Sequence, residues 1–301
     1  MSAPTGARGT VGVVGPGAMG LGIVASLVRH GFRVAARDIR PEADARAAAA
    51  GATVLGSPAE VARAAPIVVV VVVDAAQIDE VLFARDGILA SGSRDRTVLV
   101  ASTVDPDYVR GLPARVAAAG VTILDTPVSG GPARAAAGTM TIMVAGPREA
   151  RERCADVFAA IAGRTFTISD RVGDAAGTKI VNNLLAAANL AAAAEALALA
   201  DALGLDLRAT ADVISASSGA SWIFADRVPR ALDADWHPRA AARILAKDVG
   251  IACDVAARAH ADATFAQAAR RAFVDTVASG YGEDDDAAII RRARERLARE
   301  R

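Results

Sequence analysis

Apolar and polar positions follow two different periods along this chain, and the change of period divides it. In the first half, short β-rich runs alternate with Ala-rich stretches at helical spacing. Residues 10–14, 33–36, 53–55, 67–73, 98–101, 122–125, 140–144 and 165–168 predict strands. Residues 18–30, 42–50 and 59–64 predict helices, the last opened by Pro58. The run 67–73 is unbroken in its apolar character, as expected of a central parallel strand buried on both faces. Strands and helices alternating at these lengths imply a parallel sheet with right-handed crossovers.

The pattern changes near Gly173. Long Ala/Leu-rich helical stretches follow, with turns near Gly204, Gly219, Pro229 and Pro238. A boundary between Asp170 and Gly173 therefore separates an α/β domain, 1–170, from an all-helical domain, 171–301. Residues 177–203 read as one long helix joining the two, apolar on most faces. Such a helix must be buried, and a partner subunit is expected to help cover it. The tail 289–301 is dense in Arg and Glu, with Glu295 and Arg299 on one face, and predicts a solvated terminal helix.

Composition narrows the function classes. Of 301 residues, 53% are hydrophobic, enough for a sizeable core. Lys plus Arg and Asp plus Glu are 34 each, so no net charge favours nucleic acid. Cys154 and Cys253 are far apart, which speaks against a disulfide framework or a zinc site and suits a reducing cytoplasm. His30, His237 and His260 show no metal-ligand spacing. No export signal is apparent. The Ala/Leu-rich stretch 184–200 contains Asn189 and Glu195 and is followed by Asp201, so a buried helix is expected there rather than a membrane span.

Gly15-Pro16-Gly17-Ala18-Met19-Gly20 follows the first strand and opens the first helix. Gly15 permits a tight turn, Gly17 lets the backbone approach a pyrophosphate, and Gly20 lets helix pack on strand. The helix start offers amides and a positive dipole end to phosphates. This is the dinucleotide-binding arrangement of a Rossmann domain with a parallel-sheet core. The second strand ends at Asp38, where a carboxylate grips ribose hydroxyls and repels a 2′-phosphate. Asp38 therefore favours NAD, while Arg37 and Arg40 leave NADP open. Asp74 and Thr103 follow later strand ends, where ligands of such sheets gather. Thr103 suits the nicotinamide side or the substrate, and Asp74 suits either the cofactor or a helix cap.

Further candidates concern the substrate. Ser129-Gly130-Gly131 exposes backbone N–H groups with little side-chain obstruction, which suits a carboxylate. Lys179 and Asn183 share a helix face. The chain uses arginine almost throughout and has only two lysines, Lys179 and Lys247. A desolvated lysine can yield a proton near neutral pH and an arginine cannot, which singles out Lys179 as general acid/base. Asn182 points about a third of a turn away. Lys247-Asp248 either closes over the cofactor or forms a local pair.

In order and spacing these motifs resemble the β-hydroxyacid dehydrogenase family, the 3-hydroxyisobutyrate dehydrogenase-like enzymes, from about Gly12 to Arg291. Asp125-Thr126-Pro127-Val128, Gly138-Thr139-Met140-Thr141 and Lys247-Asp248 belong to the match. The resemblance implies an NAD(P)-dependent oxidoreductase acting on a small hydroxy acid, assembled as a homodimer or homotetramer. It implies Lys179 as the catalytic lysine, Asn183, Ser129, Gly130 and Gly131 as substrate contacts, and Lys247 near the cofactor. The chain looks closest to the L-threonate dehydrogenase branch through Ser221-Trp222-Ile223-Phe224, Arg227-Val228-Pro229 and Gly280-Tyr281-Gly282-Glu283-Asp284-Asp285. It departs from that branch at Asp74 and at Asn182-Asn183. An NADPH-dependent glyoxylate/succinic semialdehyde reductase is the alternative within the family. A non-catalytic nucleotide-binding scaffold is the alternative outside it.

Overall fold

A computed structural model describes residues 8–299. The chain forms two compact units, the first ending at Lys179 and the second beginning at Ile180.

The first unit is a layered α/β structure. Its strands are β1 (Arg8–Val14), β2 (Phe32–Arg37), β3 (Thr53–Val54), β4 (Ile67–Val70), β5 (Arg96–Val100), β6 (Val121–Asp125), β7 (Val128–Ser129), β8 (Met140–Ala145) and β9 (Ala162–Ser169). Between them run α1 (Ala18–Arg29), α2 (Pro41–Ala49), α3 (Pro58–Ala64), α4 (Ala75–Phe83), α5 (Pro106–Val116), α6 (Gly131–Ala137), α7 (Arg148–Arg153) and α8 (Ala155–Ile161). The sheet order is β3-β2-β1-β4-β5-β6-β8-β7, with β9 on β8. From β3 to β6 every pairing is parallel. The expected parallel core is therefore present.

Both faces of that core are covered. Val69 and Leu99 pack with Val11, Ile23 and Leu27 on one side. Val68, Val70, Val98 and Val100 pack with Ile78, Leu82 and Leu112 on the other. The period of two turns successive valines to opposite helical layers, which explains an unbroken apolar run.

Two details depart from the sequence expectation. The strand expected over 67–73 stops at Val70. Its neighbours end there: Val71 N–H still bonds Val14 O at 3.0 Å, but Val72 N–H turns to the Ser102 hydroxyl at 2.9 Å. The parallel pattern also breaks at β8, which runs antiparallel to β6 and β7. The link from β6 to β8 holds only β7 and the short α6, and β7 turns the chain back onto β8.

The second unit is helical. It takes most of α9 (Asp174–Ala202), then α10 (Leu207–Ser215), α11 (Trp222–Leu232), α12 (Ala242–Arg258), α13 (Thr264–Thr276) and α14 (Ala288–Arg299). Leu190, Leu197, Phe224, Val228, Val249, Phe273 and Ile290 form its core. Among the described residues α9 alone is long and apolar enough to cross a membrane, and 44% of its apolar window is buried inside this chain. Three of its apolar side chains, Val181, Leu185 and Leu199, are exposed, as is Leu203 just beyond its end.

A buried ionic lock closes the second unit. Asp285, fully buried, accepts Arg230 Nη1 at 2.8 Å and the backbone N–H groups of Arg239 and Ala287 at 2.9 and 3.1 Å. Arg227 pairs with Asp286 and Asp226. Two distant motifs, 227–229 and 280–285, therefore meet as one structural network. Glu295 accepts the Tyr281 hydroxyl and Arg291 Nε, so its face of α14 is tied to the body.

Candidate active site

The glycine loop after β1 has the shape its residues predict. Gly15 adopts φ +88°, and a Cβ there would stand 2.7 Å from Val71 O. A Cβ on Gly20 would meet Gly15 O at 2.3 Å. Neither position accepts a side chain without moving backbone. Gly17 is the N-cap of α1 and offers no side-chain cap, so no side chain competes with a ligand for the first amides of the helix. Pro16 is buried, Ala18 is exposed and Met19 packs on the core. This bare cradle at the N-terminus of a twelve-residue helix fits a pyrophosphate.

Asp38 lies just beyond β2 and is 7% exposed. Its oxygens accept Arg40 N, Nε and Nη2 at 3.0, 3.1 and 3.2 Å. Asp44 lies beneath it, accepting Asp38 N–H at 2.7 Å and Arg37 Nη1 at 2.8 Å. Sequence reasoning missed Asp44. Its only signal was an acidic residue in the first turn of α2 behind Pro41.

Asp74 caps α4: its Oδ1 accepts Gln77 N–H at 2.9 Å, and Gln77 Oε1 accepts Val73 N–H at 2.9 Å. The cap, one of two readings the sequence left open, thus accounts for one carboxylate oxygen. Thr103 is half-buried beyond β5, next to Ser102, whose hydroxyl ties the ends of β4 and β5 together.

Ser129 pairs with Thr141 in the β7–β8 ribbon. Gly130 and Gly131 follow with φ +136° and +75°, and nothing lies within 4 Å of a Cβ built on Gly131. The backbone there is open to a ligand.

Asp125, four residues before Ser129, does something the sequence did not reveal. Its Oδ2 accepts the N–H groups of Gly173 and Ala176 at 2.9 and 2.8 Å. A carboxylate at the end of β6 thus anchors the start of α9, the helix that carries Lys179. Burial pushes this carboxyl up to about 6, against the helix amides that favour its charge.

Lys179 and Asn183 are each 7% exposed on one face of α9. Asn183 Nδ2 donates to Asp248 Oδ2 at 2.7 Å, and Asn183 Oδ1 accepts Asn182 Nδ2 at 3.0 Å. Lys247 Nζ stands 2.8 Å from Asp248 Oδ1, within ion-pair distance but without hydrogen-bond alignment. Asp248, 4% exposed, is thus the hub of this cluster. Its only sequence signal was its place beside Lys247.

A separate cleft of about 710 Å³, lined by Arg110, Thr122, Pro147 and Arg171, opens beside the amino end of β6. Within the first unit, the glycine loop, Asp38, Asp74 and Thr103 lie beyond the carboxyl ends of β1, β2, β4 and β5 instead, where ligands of parallel sheets bind.

Comparison with known proteins agrees with this layout. Residues 10–170 match the NAD binding domain of 6-phosphogluconate dehydrogenase, and residues 173–293 match the NAD-binding region of NADP-dependent 3-hydroxyisobutyrate dehydrogenase. An L-threonate dehydrogenase of Cupriavidus necator is 42% identical over 93% of this chain and 95% of its own. The crystal structure of a 3-hydroxyisobutyrate dehydrogenase from Salmonella typhimurium superposes with a TM-score of 0.87 at 37% identity, covering 94% of this chain and 99% of that one. Psf3 in complex with NADP+ and 2-OPP superposes at 0.85 with 26% identity, covering 93% and 98%. The chain belongs to the β-hydroxyacid dehydrogenase family, the 3-hydroxyisobutyrate dehydrogenase-like enzymes, and is an NAD(P)-dependent hydroxyacid dehydrogenase.

Proposed function

We propose that this enzyme oxidises a four-carbon sugar acid such as L-threonate, with NAD as cofactor and Lys179 as general acid/base. The nicotinamide, when bound, supplies the redox chemistry by accepting hydride from the carbinol carbon. Lys179 takes the hydroxyl proton through Nζ. Asn183 orients the reacting group, and Asp248 orients Asn183. Ser129, with the amides of Gly130 and Gly131, holds the substrate carboxylate. Thr103, Asp74 and Lys247 contact the cofactor, and Thr103 also borders the substrate.

The chief support is the burial of Lys179 and Asn183 on one helix face, with the Asn183 amide held by a buried carboxylate. Burying such polar groups is costly unless they are paired, and the Asn183–Asp248 bond supplies that pairing. The L-threonate dehydrogenase relative at 42% identity favours the sugar acid, and the 3-hydroxyisobutyrate dehydrogenase structure supplies the next substrate to try. Asp38 favours NAD, and the NADP+ complex of Psf3 keeps NADP as the second cofactor. The exposed apolar stripe of α9 supports a homodimer or a homotetramer built from it. The neutral charge balance and buried thiols suit a cytoplasmic enzyme that binds neither nucleic acid nor membrane.

Initial rates with NAD and NADP would be compared on L-threonate, D-erythronate, 3-hydroxyisobutyrate, D-glycerate and 4-hydroxybutyrate. Fast NAD reduction by a four-carbon sugar acid is expected. Silence on both sugar acids with turnover of another would discard that substrate. NADPH oxidation by glyoxylate or succinic semialdehyde alone would install the reductase instead. Lys179→Ala should lower turnover about a thousandfold while leaving cofactor binding intact.

A further inference from the structure

The segment after β2 carries two arginines and two aspartates, and the fold sorts them into unlike pairs. Arg37 is tied to Asp44 on the first turn of α2, and Asp44 in turn holds the backbone of Asp38. Arg40 is placed differently. Its guanidinium covers both oxygens of Asp38, through Nε to Oδ1 and Nη2 to Oδ2. The Arg40 side chain is 50% exposed and that of Asp38 only 6%. The guanidinium can therefore leave the pair, while the carboxylate cannot move with it. Arg40 Nη2 also lies 3.3 Å from the point that a Cβ on Gly17 would occupy. The guanidinium spans the gap between the carboxylate and the glycine loop, where the adenosine ribose enters a Rossmann site.

This geometry sets up a competition. A ribose diol needs the Asp38 oxygens that Arg40 already holds. A 2′-phosphate would be repelled by a bare carboxylate, yet here it meets a guanidinium first. A guanidinium matches phosphate oxygens in bidentate geometry. Burial works against the Asp38 charge, but the Arg40 bonds outweigh it and hold the carboxyl below its usual value. Asp38 thus remains ionised and remains a partner for Arg40 at neutral pH.

We propose that Arg40 sets cofactor choice by exchanging partners. It rests on Asp38 in the free protein, moves aside for the ribose diol of NAD, and turns onto the 2′-phosphate of NADP. The enzyme then accepts both cofactors, where Asp38 alone would exclude the second. This rests on the dinucleotide site and is independent of which hydroxy acid is oxidised. Arg37, held by Asp44, takes no part.

Titration calorimetry with NAD+ and NADP+, without substrate, tests the exchange in the wild type, Arg40→Ala and Arg37→Ala. Thermal melts would confirm that the variants fold. The wild type should bind the two cofactors within about tenfold of each other. Arg40→Ala should weaken NADP+ by about tenfold or more and leave NAD+ no weaker. Arg37→Ala should hold the ratio to within about twofold. A wild-type ratio beyond tenfold, an equal loss of both cofactors in Arg40→Ala, or a selective NADP+ loss in Arg37→Ala would overturn the proposal. Because no hydroxy acid enters the titration, a wrong substrate leaves its outcome untouched. Binding of neither cofactor would instead remove the dinucleotide site itself.

Discussion

Asn183 donates to Asp248 at 2.7 Å across 65 positions of sequence. An ionised carboxylate only accepts, so Asn183 must turn its NH2 toward it. The amide oxygen is then left to Asn182 on the other side. One buried carboxylate thereby fixes which way the Asn183 amide faces.

Replacing Asp248 by alanine should free that amide to rotate. We expect kcat to fall about a hundredfold, since a small misplacement costs that much, with a smaller loss of cofactor affinity because Lys247 loses its ion pair with Asp248. Asp248→Asn keeps an acceptor for Asn183 and should recover part of the loss. Equal damage to kcat in both variants would show that the residue merely supports the fold.

Asp125 predicts a pH dependence of unusual sign. Its carboxyl sits near 6 in the folded chain, above the ordinary 3.8, so between these values the native state holds a proton the unfolded state has lost. The stabilisation is present below pH 4 and is lost as pH rises to 6. The change amounts to about 3 kcal/mol. Asp125→Asn cannot ionise and keeps one acceptor for the helix amides. The stability of wild type minus variant should therefore decline over that window in denaturant titrations. A flat difference would contradict the assignment.

The Arg230–Asp285 pair should be structurally decisive. Asp285 is fully buried, and its removal leaves the buried Arg230 guanidinium with only its contacts to Asp226. Asp285→Ala should lose about 3–5 kcal/mol of unfolding free energy. Urea midpoints report this directly, and a change below 1 kcal/mol, about the worth of a surface pair, would mean the lock carries little.

Both thiols should be silent in the folded protein. Cys154 is fully buried and burial pushes it up to about 12, and Cys253 is also buried and raised. The thiolate is the reactive form, so neither should react with a disulfide reagent until the chain is denatured. A fast-reacting thiol in native protein would refute this.

Much of the frame was legible in residue order because local contacts write it. The unbroken apolar run of β4, Pro58 at the head of α3, the cap at Asp74 and the glycine loop before α1 all act within a few positions. Even so, β4 ended early, because its length depends on where β1 and β5 stop.

What the sequence by itself determined was a Rossmann sheet, a glycine cradle, a helical second half, and two lysines worth watching. Tertiary structure alone decided the partnerships. Asp125 anchors α9 through residues 48 and 51 positions away, and Arg230 finds Asp285 55 positions away. Even the close pairs Arg37–Asp44 and Arg40–Asp38 depend on how the chain turns after β2. Periodicity and propensity report which face of an element is buried. They do not report which polar group waits on the other side, because that depends on how distant elements are brought together in space.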